Sequence, residues 1–246
     1  MPNYLNYKSV AAPYIRSFVE SKSRKGIKGE DIKWVLYELD RYLVKKDHQI
    51  CHIDRISYDS WYHATCENKQ VSTVYQKVSI MRRFLLYMSS MGLECYVPRL
   101  PKKYKSEYVP YIFTENEIKS LFTAADNLRG KEHHAKSLMM VVPVLLRTLY
   151  STAIRISEAI NLRIKDIDFG RHAIVLDNTK NGRQRLAPIN ESLEKVLRQY
   201  IHYRNMLPVE GIMAPENRLF VNGLGHKLAK TSLGKYFRRL LQEANI

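Results

Sequence analysis

The chain is short of several things that would each have named a chemistry. Its 246 residues hold only three cysteines, Cys51, Cys66 and Cys95, and no two stand in a Cys-x-x-Cys pair. That leaves no disulfide framework and no thiolate metal site, and it suits a reducing cytoplasm. No stretch reaches the roughly eighteen apolar residues a membrane-crossing helix needs. The first residues, MPNYLNYKSVAAPYIRSFVESKSRK, lack the apolar core and cleavage signal of a secreted protein. There is no GxxxxGK[ST] loop to cradle a nucleotide and no HExxH; His133 and His134 are adjacent and aim in different directions on a helix. Internal repeats and low-complexity tracts are missing too. Acids are the scarcest relative to their counterparts, at 24 against 40 Lys and Arg, for a net charge of +16 and a pI near 9.7.

An excess of that size points to a polyanionic partner, most often nucleic acid. Its distribution excludes a basic tail on a neutral body. Residues 1–107 carry 19 basic and 11 acidic side chains and residues 108–246 carry 21 and 13, so each part is +8.

The first part reads as helices. Tyr7–Glu20 opens the series. In Glu30–Asp47, Ile32, Val35, Leu36, Leu39, Tyr42 and Leu43 form an apolar stripe at three- and four-residue spacing. Ser57–Asn68 is a shorter segment. In Ser72–Met91, Ser72 is the expected N-cap, Val74, Val78, Met81, Leu85 and Met88 share one face, and Gly92 stands at the C-cap. The opposite face carries Lys77, Arg82 and Arg83 as candidate phosphate contacts. Residues 96–111, YVPRLPKKYKSEYVPY, contain three prolines and no helical period, which predicts a linker. Its Lys102 and Lys103 extend the candidate DNA-binding set.

The second part is mixed. Thr114 and Glu117 have the spacing of a capping box before a helix through Ile118, Leu121, Phe122 and Ala125. Lys136–Tyr150 predicts an apolar core helix and Arg155–Leu162 a short continuation. Ala173–Leu176 and Arg185–Ile189 predict strands around an Asn181-Gly182 turn. Asn190 is placed to cap a helix running to Pro208. A last helix, Thr231–Ala244, is expected to bury Leu233, Phe237, Leu240 and Leu241. The fold class is therefore mainly α with a small β-hairpin or sheet.

Two residues stand out chemically. Arg155 ends a run that otherwise reads as core, so it needs a partner, and Glu158 at i+3 is available. Lys180 sits near the tip of the expected hairpin, where an ammonium could reach a phosphate as acid or electrostatic clamp. Taken singly, each reads as an ordinary helix pair or a solvated turn lysine.

Together, LLRTLYSTAIRISEAINLRIKDIDF and the later TKNGRQRLAPI resemble the catalytic domain of the tyrosine recombinases, the phage-integrase family. Its first box reads approximately Arg-Ile-Ser-Glu-Ala after a small-residue turn, and its hairpin approximately Thr-Lys-x-x-x-x-Arg-x-x-Pro-Leu. The resemblance implies a SAM-like helical core-binding domain at 1–95, a basic linker at 96–111, and an incomplete α+β catalytic domain at 112–246. It makes Arg155 the first catalytic arginine, Glu158 its supporting acid and Lys180 the hairpin lysine. It also implies double-stranded DNA as partner, a homo-oligomer on DNA once the domain is complete, and chemistry through a 3′-phosphotyrosyl link that needs no metal and no nucleotide cofactor.

The family continues into a His-x-x-Arg box and a nucleophilic tyrosine. His226 is followed by Lys-Leu-Ala, His52-Ile-Asp-Arg55 lies in the other domain, and no tyrosine follows a suitable histidine. The expectation is a C-terminally truncated recombinase that binds DNA without cleaving it. The alternative is a non-catalytic DNA-binding module that occupies recombination sites and competes with a full-length enzyme.

Overall fold

The structure is a computed structural model that describes residues 5–26, 29–102, 108–129, 137–177 and 184–246. It divides into two compact units, Met1–Val109 and Pro110–Ile246.

The first unit is built from α1 (Ala12–Arg24), α2 (Glu30–Lys45), α3 (Arg55–Cys66) and α4 (Val71–Ser90). The apolar stripes meet around Trp61, Phe84, Leu36, Leu39 and Met88, all essentially solvent-free, with Phe18 edge-on to Phe84 at 5.6 Å. The first helix starts later than its sequence suggests. Lys8 and Ser9 instead give their backbone N–H groups to the buried Asp40 carboxylate, at 2.8–3.0 Å. Pro13 then falls in the first turn, where its missing donor costs nothing. In the third helix the cap is Asp54, which accepts from Ser57 N–H at 2.8 Å and whose carboxyl that bond holds below its usual range.

Helix α4 corrects one reading and confirms another. Gln70 precedes it with extended backbone, so Ser72 lies inside the first turn and is not the cap. At the far end Gly92 adopts φ +88° while Gly92 N–H bonds Ser89 C=O and Leu93 N–H bonds Met88 C=O. That is the paired closure in which glycine alone is unstrained. The 96–111 segment is also not wholly a linker: Tyr96 donates its N–H to Ile53 C=O and packs on Tyr58, so its first residues belong to the first unit.

The second unit runs α5 (Glu115–Asp126), α6 (Val142–Thr152), α7 (Ile156–Ala159), a 3₁₀ turn (Ile164–Asp166), β1 (Ile167–Asp168), β2 (Ala173–Leu176), β3 (Arg185–Pro188), α8 (Glu191–Asn205) and α9 (Lys230–Glu243). The capping box of α5 forms, with Thr114 N–H on Glu117 at 2.7 Å. Arg147 clamps Asp126 with two bonds of 2.9 and 2.7 Å and lies over Phe122, tying α6 to α5. The strands form an antiparallel sheet in the order β1-β2-β3, with Ile167 opposite Ile174 and Leu176 opposite Arg185. Strand β1 is too short for a periodicity to reveal it. Helix α6 begins at Val142, six residues later than expected. In α9 Leu233 and Leu240 are buried as expected, but Phe237 stays 36% exposed, edge-on to Phe113.

Residues 206–229 join α8 to α9 without a helix or strand, yet Leu219 and Phe220 are fully buried. What holds this segment is Arg204 of α8, itself 0% exposed. Its guanidinium donates to Leu219 C=O at 2.9 Å, Ile212 C=O at 3.0 Å and Arg218 C=O at 2.6 Å. The segment then bonds the chain that follows α7: Leu219 N–H to Leu162 C=O, Ile164 N–H to Asn217 C=O and Lys165 N–H to Pro215 C=O.

Candidate functional site: an anion-facing arginine pair

Helix α6 ends at Ala153, whose φ of +50° turns the chain sharply. A left-handed alanine costs roughly 1–2 kcal/mol, tolerable here because its small side chain clears the turn and the next residue, Ile154, is buried. Arg155 follows with extended backbone and starts α7. Its N–H bonds Glu158 Oε2 at 2.9 Å, so the glutamate caps the helix that carries it.

The same carboxylate holds two guanidinium groups. Arg155 Nη1 lies 3.0 Å from Oε1 and Arg185 Nη2, from the first residue of β3, lies 2.8 Å from Oε2. The glutamate side chain is 5% exposed while those of Arg155 and Arg185 are 57% and 40% exposed. The anion is thus inside and the cations face out. Burial pushes the Glu158 carboxyl up, but bonds from the Arg155 N–H, the Arg155 side chain and Arg185 outweigh it and hold it below its usual range. An ionised Glu158 between two arginines leaves one net positive charge, with guanidinium donors still directed at solvent. Planar forks fixed in that way suit the paired oxygens of a phosphate.

The structure therefore brings Arg155 and Glu158 together as the sequence implies. Arg185 was not singled out from sequence, although it occupies the arginine position of the quoted hairpin pattern six residues after Thr179. Lys180 and Lys103 lie outside the described residues. On the first unit, Arg83 and Lys102 are exposed; Arg82 is half-buried, with Nη1 on Pro98 C=O at 2.6 Å. The expectation that Lys77 is an exposed phosphate contact on the polar face of α4 is corrected. Lys77 is buried, and its ammonium bonds Thr65 C=O at 3.0 Å and pairs with Glu38 at 2.7 Å, joining α4 to α3 and α2. No helix among the described residues is long and apolar enough to cross a membrane.

Known proteins resemble this chain in sequence and in fold. A tyrosine recombinase, XerA, from Pyrococcus horikoshii is 31% identical over 107 residues, covering 44% of this chain and 32% of its own. XerC from Lacticaseibacillus casei is 24% identical over 203 residues, covering 79% of this chain and 64% of its own. The matched part of the chain thus spans 32–64% of the length of these relatives. Among solved structures, the XerH recombinase bound to its difH substrate before cleavage aligns with 95% of this chain and 68% of its own at a TM-score of 0.64 and 18% identity. A lambda integrase dimer bound to a COC′ core site covers 95% of this chain and 81% of its own, at 0.63 and 11%. At such identities the likeness is one of fold, and it extends over both units. The sequence of residues 112–246 matches the phage integrase family, and with more than half its length inside that match the chain belongs to the phage integrase family.

Proposed function

We propose that the chain binds double-stranded DNA and grips a phosphodiester at Arg155, as part of a tyrosine recombinase acting in DNA integration and site-specific recombination. The observation that carries this is the buried Glu158 with its outward-facing arginines: a charge-stabilised donor array with no second anion on it among the described residues. In that role Arg155 stabilises the negative charge that develops on the phosphoryl oxygens, and Glu158 keeps its guanidinium aimed. Lys180 is the candidate proton donor to the leaving oxygen. The first unit is read as the core-binding domain, with Arg82, Arg83, Lys102 and Lys103 as its candidate backbone contacts; Lys77, spent on Glu38, contributes through the fold. Such contacts position a protein on DNA and carry no sequence information directly. A DNA partner is in keeping with a cytoplasmic protein, and lambda integrase, solved as a dimer on a core site and as a tetramer on a Holliday junction, supports assembly on DNA.

The test is duplex DNA binding by the full chain across a salt series. Log affinity should fall by about 0.9 per log salt for each phosphate neutralised. Arg155→Gln should weaken binding; a salt slope near zero would remove the electrostatic basis of the reading. Incubation with nicked duplexes then asks separately whether a covalent protein–DNA adduct forms.

A further inference from the structure

We propose that Arg185 is a second phosphate-contacting arginine of the Arg155 site, held beside Arg155 by their shared anchor. This rests on the reading of that site as one that receives a DNA phosphodiester. The two guanidinium groups bind different oxygens of one carboxylate, so no more than that carboxylate and two hydrogen bonds separates their bonded nitrogens. They come from different elements, Arg155 from the start of α7 and Arg185 from β3 where it faces Leu176 across the sheet. Two backbones of fixed geometry therefore converge on one spot.

The burial pattern leaves the cations accessible: the glutamate is 5% exposed and Arg185 40% exposed. An arriving anion cannot compete for the inner face, which Glu158 fills, and meets the outer donors of both arginines. Each guanidinium has five donors, and among the described residues Glu158 is the sole acceptor recorded for either side chain. One negative oxygen pair is thus shared by two cations, and the uncompensated charge faces solvent. A phosphodiester, with two non-bridging oxygens and one negative charge, matches that remainder in charge and in acceptor geometry.

Two measurements test this on the full chain. The first compares the salt dependence of duplex binding for wild type and Arg185→Gln. Loss of one phosphate contact should weaken binding roughly tenfold at low salt and lower the slope by about 0.9. Arg185→Lys, which keeps the charge, should retain the slope while losing part of the affinity. An unchanged slope in Arg185→Gln, with wild-type binding intact, overturns the inference and leaves the DNA reading standing. The second follows arginine side-chain NH signals by NMR during titration of the wild type with inorganic phosphate, which needs neither DNA nor a variant that folds. Arg155 and Arg185 should shift together with one saturation constant. A shift of Arg155 alone, or of neither, overturns the proposal. If both shift and no duplex is bound, the DNA reading fails and the two-arginine site remains.

Discussion

Arg204 offers the sharpest check on how the second unit is held together. It is a fully buried cation with no carboxylate paired to it among the described residues, compensated by three backbone carbonyls and Asn205 Oδ1 at 3.0 Å. Burial pulls its guanidinium down from its ordinary value, and Tyr200 pushes the other way. Replacing it with Met keeps most of the volume and removes every donor. Leu219 C=O retains the Tyr200 hydroxyl at 3.1 Å, and Ile212 C=O retains Asn217 at 3.3 Å. Arg218 C=O loses its 2.6 Å partner. Bonds from a charged donor contribute about 1.5–3 kcal/mol each, and an orphaned buried acceptor costs about 1–3. Against this stands the desolvation of the guanidinium, several kcal/mol that Met no longer incurs. The backbone bonds should win because they close a segment of more than twenty residues, so we expect a net loss of about 3 kcal/mol. In urea this is a midpoint lower by about 1.5 M. Arg204→Lys should fall between, since an ammonium cannot span three carbonyls. Hydrogen exchange should show the amides of Ile164, Lys165 and Leu219 opening first, because they bond across to this segment. An Arg204→Met protein as stable as wild type would refute the argument and make desolvation the larger effect.

Other expectations follow from single contacts. Lys77→Met should cost about 1–2 kcal/mol in a denaturant titration, below the range for fully buried pairs because Glu38 is 42% exposed; a protein of unchanged stability would refute a stabilising role for the pair. Thr114→Ala should cost about 1 kcal/mol through the lost cap, and Gly92→Ala about 1–2 from backbone strain alone, since a Cβ there meets nothing within 4 Å. Glu158→Gln should destabilise at neutral pH by about 1–3 kcal/mol. Because the folded Glu158 titrates below its ordinary 4.5, the stability it contributes is present above about that pH and lost as pH falls through the folded value. The gap between wild type and Glu158→Gln in acid denaturation should therefore close below pH 4.5, and a constant gap would contradict it.

The helices were legible because each buries one stripe, and a stripe is visible at the spacing of the residues themselves. Their ends were legible where a side chain caps them, as at Thr114 and Asn190, and illegible where a distant group intervenes. Nothing in residues 7–12 announces that Asp40, some thirty positions on, takes the N–H groups of Lys8 and Ser9. Segment 206–229 failed for the same reason. Its order comes from an arginine at the end of a helix stripe, where Leu193, Leu197 and Tyr200 prepare for an apolar residue and a cation appears. Lys77 is the converse: on the polar face of its own helix a lysine reads as a candidate phosphate contact, and only the arrival of Glu38 and Thr65 from two other helices buries it.

The site shows how far local spacing reaches. Arg155 and Glu158 are three residues apart on one short helix, so their pairing could be anticipated, and the physical demand for it came from Arg155 ending an apolar run. Arg185 is 27 residues from Glu158, and only the pairing of β2 with β3 carries it there. Once it arrives, the meaning of the local pair changes. An isolated Arg–Glu helix pair is neutral and contributes a few tenths of a kcal/mol, roughly 0.2–0.5. A second arginine on the same buried carboxylate leaves the cluster positively charged and its donors unspent. The feature that turns a surface ion pair into an anion site thus belongs to the tertiary structure, and the residue that supplies it is the one whose substitution separates the two readings.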